Sequence, residues 1–131
     1  MKAIEINTKG TAETIVTSDK LAVNVGSGSL AVFATPSMTA LMEKSACNCL
    51  SDYLDDEETT VGTELNIRHL SATPEGMKVT AEAVLTKING REFTFEVTAS
   101  DETGVIGKGL HKRFLVYSEK FTAKTYEKLN K

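Results

Sequence analysis

No tryptophan occurs in this 131-residue chain, and only two prolines and two cysteines do. With cysteine this scarce, a disulfide framework does not carry the fold. The two that exist, Cys47 and Cys49, are separated by one residue in a stretch that reads as helix. That spacing turns their side chains about 200° apart, so they do not bridge each other. No further cysteine or nearby histidine completes a metal site around them. Free thiols point to a reducing compartment, the cytoplasm. Positive charge is not in excess either: fifteen Lys and Arg face eighteen Asp and Glu, for a net charge of −3. That balance argues against nucleic acid as the partner. Long apolar runs are missing, and the start "MKAIEINTKG" has polar and acidic residues where a signal peptide needs an apolar stretch. Neither a membrane span nor secretion is expected.

What is present is the make-up of a globular protein, 40% hydrophobic and 25% charged. Without repeats, low-complexity tracts or linkers, residues 1–131 read as a single domain. A chain this long buries roughly two thirds of its unfolded surface and needs no covalent or metal staple.

Along the chain, "TAETIVT" (11–17) reads as a strand and "NVGSGSLAV" as a Gly/Ser loop. The segment "AVFATPSMTALMEKSACNCL" follows, a helix from Thr35-Pro36 that ends near Leu54 in an acidic turn. The pattern then switches to period two. In "TVGTELNIRHLS", Val61, Leu65 and Ile67 share one face, and Glu64, Asn66 and Arg68 the other. Met77, Val79, Ala81, Ala83 and Leu85 line the next strand, and Asn89-Gly90 signals a hairpin. Phe93, Phe95, Val97 and Ala99 answer across it, and "VIGKGLHKRFLVY" supplies a further strand. A last helix starts from a Ser118 N-cap, with Phe121, Tyr126 and Leu129 near one side. The order is strand, long helix, a meander of four strands and a terminal helix, an α+β layer arrangement.

Projected at 100° per residue, Met38, Leu41, Met42, Ala46, Cys49 and Tyr53 form an apolar arc on the long helix, which Ala40, Cys47, Leu50 and Leu54 continue. A helix apolar over most of its girth is expected to be enclosed, by a wrapped sheet or a second subunit. Glu43 falls within that arc, and its neighbours at i±3 and i±4 are Thr39, Ala40, Ala46 and Cys47, none of them basic. A carboxylate placed there suits acid/base work or hydrogen bonding. Equally, it reaches water or pairs with a distant Arg. Thr35-Pro36 reads first as an N-cap with Pro at N1. The same helix end also presents free N–H groups suited to a developing oxyanion or a thioester carbonyl.

His69 lies in line with the apolar face of its strand, and His111 shares parity with Gly107 and Gly109. For both, a satisfied core histidine is the simpler reading. Ser27, Ser29 and Ser37 sit in no nucleophile elbow, and "GSG" and "GKG" are too short for a phosphate loop.

Taken together, "VGSGSLAVFATPSMTALMEKSA" and "TTVGTELNIRHLSATPEGMKVTAEAVLTKINGREFTFEVTASDETGVIGKGLHKRF" resemble the hot-dog-fold thioesterases of the fluoroacetyl-CoA thioesterase-like group, over Val16 to Phe121. The resemblance rests on "ATPxMxxLME", "TVGTxxxIxHL", "ATPxGMxV" and "GxGxHxRF". It implies a long central helix wrapped by a curved antiparallel sheet, in a homodimer or dimer of dimers with sites at the dimer interface. It implies acyl-CoA thioester hydrolysis by Thr35, Glu43 and His69, with Gly62 on the substrate and no cofactor beyond the substrate's own coenzyme A. Thr35 and Glu43 stand about 12 Å apart along one helix, so His69, substrate or the partner subunit must join them. The group's fluoroacetate-specific member carries aromatics just ahead of its threonine. Here "VGSGSLAVF" offers only Phe33, which points to a general or different short acyl-CoA. Lys108, Lys112 and Arg113 are the candidate cations for the CoA phosphates. The competing reading is a non-catalytic acyl-CoA-binding or sensing module on the same fold.

Overall fold

The computed structural model describes residues 1–131. Five strands, β1 (Lys9–Ile15), β2 (Glu58–His69), β3 (Lys78–Asn89), β4 (Glu92–Asp101) and β5 (Gly104–Tyr117), form one antiparallel sheet in the order β1-β3-β4-β5-β2. It curls around helix α2 (Thr35–Leu50), which continues as a 3₁₀ turn over Ser51–Tyr53. A one-turn helix α1 (Ala22–Val25) interrupts the segment expected as a loop, closing on Gly26 in the left-handed region. Helix α3 (Ser118–Tyr126) follows β5. Ser118 is its first helical residue, not a side-chain cap, and Phe121 and Tyr126 stay exposed.

The alternating faces of β3 and β4 come out as read. Val79, Ala81, Ala83, Leu85, Phe93, Phe95, Val97 and Ala99 are all buried against Met38, Leu41, Met42, Ala46, Cys49 and Leu50 of α2. The hairpin joining them turns on Gly90-Arg91, one residue later than the Asn-Gly signal, with Gly90 at φ +63°. Gly10 brings β1 onto α2, since a Cβ there would collide with the Ser45 carbonyl and the Cys49 backbone.

Two expectations need correction. The four strands after the helix are not a simple meander, because β2 pairs with β5 at the far edge and not with β3. Residues 70–77 make the crossing. Eight residues reach up to about 26 Å, ample for three strand spacings of about 4.8 Å. Second, a register shift between Gly62 and Glu64 reverses the parity of β2. Before it, Thr60 and Gly62 oppose Leu115 and Arg113 on the inner face; after it, Leu65, Ile67 and His69 oppose His111, Gly109 and Gly107. Val61 is therefore on the outer face, away from Leu65 and Ile67. On α2 the sheet covers the apolar arc and leaves Pro36, Ala40, Lys44 and Asn48 as an exposed stripe of the protomer, beside half-buried Glu43 and Cys47. Ser45 is buried instead, its hydroxyl donating to the Met42 carbonyl at 2.6 Å.

Candidate active site

The first cluster forms where α2 begins and β2 ends. Isolated bridges Leu21–Phe33 and Val32–Pro74 pin residues 32–34 beside the crossing loop. The Leu70 and Ser71 amides donate to the Ile106 carbonyl at 2.6 and 3.1 Å, holding the end of β2. Opposite His69 stands Gly107, where a Cβ would run into the Met38 thioether, so the missing side chain lets α2 settle here.

Thr35 does not cap the helix. Ala34 occupies the N-cap position, Thr35 is the first helical residue, and its hydroxyl lies 2.7 Å from His69 Nδ1. Burial pushes the His69 pKa down, with the Ser71 backbone opposing in part, so the ring is neutral at pH 7 and can accept a proton. With the hydroxyl donating to Nδ1, the ring hydrogen sits on Nε2. That atom is buried and has no partner within the protomer. The pair opens onto a cleft of about 300 Å³ lined by Ala22, Ser27, Val32, Phe33, Leu70 and Ala72. Phe33 itself is 1% exposed, part of the core as well as of the cleft wall.

Glu43 belongs to a second cluster, two turns further along α2. Its Oε2 lies 3.5 Å from Arg113 Nη1, so the carboxylate has found a distant arginine. Arg113 is 6% exposed and also donates through Nε to Thr60 Oγ1 (2.9 Å), through Nη2 to the Thr60 carbonyl (3.0 Å) and through Nη1 to His111 Nε2 (3.1 Å). Gly62 opens this cluster to the edge of the sheet: a Cβ there would lie 2.8 Å from Glu43 Oε2 and 3.3 Å from Arg113 Nη1.

The fold thus joins Thr35 to His69 and Glu43 to Gly62, and leaves the two pairs apart within one chain. It also divides the three proposed phosphate cations. Lys108 is exposed on the outer face opposite Arg68, and Lys112 lies 3.9 Å from Glu92. Arg113 is buried on the inner face, where its guanidinium is committed to Thr60, His111 and Glu43. The residues that sequence reasoning missed as Glu43's surroundings are Thr60 and His111. An isolated glycine inside a strand, Gly62, is the signal that could have marked the bulge that collects them.

A helix wrapped by a curled five-stranded antiparallel sheet is the hot-dog architecture of the thioesterases that superpose on this chain. The family model of the fluoroacetyl-CoA-specific thioesterase matches residues 16–119. The fluoroacetyl-CoA thioesterase of Streptantibioticus cattleyicolor is 39% identical over 97 residues, 74% of this chain and 70% of that protein. A solved structure of the fluoroacetyl-CoA thioesterase FlK superposes with a TM-score of 0.90 at 32% identity, covering 97% of this chain and 98% of that one. A Thermus thermophilus thioesterase superfamily member gives 0.89 at 26% identity, covering 99% and 96%. The chain belongs to the fluoroacetyl-CoA-specific thioesterase family and is a thioester hydrolase.

Proposed function

We propose that this protein hydrolyses the thioester of a short acyl-CoA to the free acid and CoA, using Thr35, His69 and Glu43. The observation that carries the reading is the 2.7 Å contact between Thr35 Oγ1 and His69 Nδ1 on the wall of a cleft small enough for a short acyl group. The thioester carbonyl sits at the N-terminus of α2, where free N–H groups and the helix dipole stabilise its oxyanion. His69 Nδ1 takes the proton as the Thr35 oxygen, or a water in its place, attacks the carbonyl carbon. The imidazolium returns that proton to the departing thiolate, so CoA leaves as the thiol. On the threonine route a water then releases the acid from Thr35, and trapping of an acyl-Thr35 species by mass spectrometry separates the two routes. No cofactor is required beyond the CoA of the substrate. The small residues Gly26, Ser27, Gly28, Ser29 and Ala31 leave room for acyl groups other than fluoroacetyl.

We assign Glu43 to this site through a homodimer, itself able to pair further. Strand β2 is a sheet edge with a row of unpaired backbone groups. Two copies joined antiparallel along it, about a twofold at Asn66, pair Leu65 with Ile67 of the partner subunit and, past the bulge, set His69 opposite Gly62 of the partner subunit. Glu43 of the partner subunit then approaches the unpartnered Nε2 of His69. The free thiols fit a cytoplasmic enzyme, and residues 1–131 act as one domain.

The test is a panel of acetyl-, propionyl-, butyryl- and fluoroacetyl-CoA assayed by thiol release, with light scattering for oligomeric state. Turnover that His69→Ala abolishes is expected, from a dimer or a dimer of dimers. Binding without turnover on every member identifies a sensing module instead, and undiminished turnover in His69→Ala refutes the catalytic assignment.

A further inference from the structure

We infer that His111 is a positioning residue: a neutral imidazole, locked in one tautomer, that fixes the Arg113 guanidinium and through it the Glu43 carboxylate at the Gly62 opening. This rests on the proposed role of Glu43. It begins from the hydrogen-bond chemistry of a ring with no exposed surface. His111 Nδ1 lies 2.9 Å from the Glu64 carbonyl, which only accepts, so Nδ1 carries the hydrogen. Nε2 lies 3.1 Å from Arg113 Nη1, which only donates, so Nε2 presents its lone pair. Both partners are satisfied by a single tautomer. The Phe95 ring, centroid 6.3 Å away, stacks against the imidazole and holds its plane.

Arg113 is fixed in consequence. Four of its five N–H groups are engaged, two by Thr60, one by His111 and one by Glu43. Burying a guanidinium costs several kcal/mol, and an apolar pair of similar volume fills such a space at least as stably. Stability therefore does not account for the network, but directing the carboxylate does. Glu43 Oε2 meets Arg113 while Oε1 has no partner in the protomer, so one oxygen is anchored and the other left for chemistry. The bulge after Gly62 and the absent Cβ keep that side of the cluster open. Burial, with Arg113 adding to it, keeps the His111 pKa low against the opposing Glu64 carbonyl and Glu43 carboxylate, consistent with a permanent acceptor.

The test compares His111→Leu, which removes both polar atoms, with His111→Gln, whose amide supplies one donor and one acceptor. Each is made in the parent and in a Glu43→Gln background, and kcat and KM are read separately by thiol release alongside a thermal melt. His111→Leu is expected to lower kcat about tenfold or more with KM within about threefold, His111→Gln to recover most of it, and His111→Leu to add nothing once Glu43 is Gln. If His111→Leu does not fold, the isosteric Thr60→Val takes its place, with a severalfold loss in kcat expected. Folded His111→Leu or Thr60→Val with parental kcat overturns the inference, as do additive losses in the Glu43→Gln background. A Glu43→Gln protein as active as the parent instead removes the proposed role of Glu43, and this inference with it. Independently of turnover, imidazole ¹⁵N shifts, assigned with His69→Ala, must report hydrogen on Nδ1 of His111; hydrogen on Nε2 overturns the network.

Discussion

Replacing Gly62 with alanine tests the second cluster with the least disturbance to the rest of the fold. The new methyl group would sit 2.8 Å from Glu43 Oε2 and 3.3 Å from both Arg113 Nη1 and His111 Cε1. Arg113 is braced by Thr60 and His111, and His111 by its ring contacts and the Glu64 carbonyl. The carboxylate is the end of a flexible side chain, so it yields, by about 0.6 Å to reach ordinary contact. That displacement breaks a contact already at 3.5 Å. A half-exposed ion pair is worth about 0–1 kcal/mol, and Ala gains back about 0.5–1 kcal/mol over Gly within a strand. The two nearly cancel, and the melting temperature should move by no more than about 4 °C. Catalysis is more sensitive, since misplacing a reacting group by a fraction of an ångström costs about ten- to a hundredfold. Gly10→Ala is the control: its methyl group meets Ser45 and Cys49 backbone, which cannot retreat, and the protein should fail to fold. Thiol release and a thermal melt on both variants decide the matter. Gly62→Ala with parental kcat refutes the placement of Glu43 at the reaction, and a loss of stability as large as that of Gly10→Ala refutes the flexible-carboxylate argument.

Thr35→Val should lower kcat about a hundredfold or more while leaving the melting temperature within a few degrees, because the hydroxyl bonds His69 and caps nothing. A melting loss typical of a deleted N-cap, about 1 kcal/mol, would restore the capping role. Burial lowers the His69 pKa and the partner subunit's Glu43 opposes it, so Glu43→Gln should move the acid limb of kcat/KM to lower pH; a limb that stays in place in the pH–rate profile contradicts the shared site. Stability should also depend on pH. His111 resists protonation when folded, so below pH 6.5 the unfolded chain binds more protons and the melting temperature falls, levelling only below the folded pKa. Native protein should release one fast-reacting thiol, from half-buried Cys47. Burial pushes the Cys49 thiol up to about 11, and it should react only after denaturation, as peptide mapping of alkylated protein will report.

Much of the scaffold was legible residue by residue, because β3 as far as Leu85 and β4 from Phe93 to Ala99 obey one local rule. Strict alternation puts every second side chain against α2, and nothing interrupts it before Leu85. β2 breaks that rule at a single residue. Counting parity straight through Thr63 puts Val61 with Leu65, whereas the bulge exchanges the faces and delivers Thr60 and Gly62 to the inside. The partner of Glu43 was hidden for a different reason. Arg113 is 70 residues away, and the two meet only because β2 crosses to the far edge and lies beside β5. No helical neighbour could reveal that contact.

The start of α2 shows why local signals are ambiguous where a site is built. Thr-Pro is a sound helix opening whether or not the hydroxyl caps, so the same two letters describe a structural cap and a hydroxyl held against an imidazole. What separates them is a third residue, His69, brought up from the end of β2 by bridges and a crossing loop with no local periodicity. The departures from local rules coincide at this edge of the sheet: a glutamate within an apolar arc, a glycine and a bulge inside a strand, a histidine facing inward. Each alone has a plain structural explanation. Only the sheet order makes them neighbours, and that order depends on which strand β5 accepts as its second partner. Chemistry in this protein is therefore specified at two levels. Residue types are set one at a time along the chain, and their conjunction is set by a crossing that residues 70–77 make without regular structure of their own.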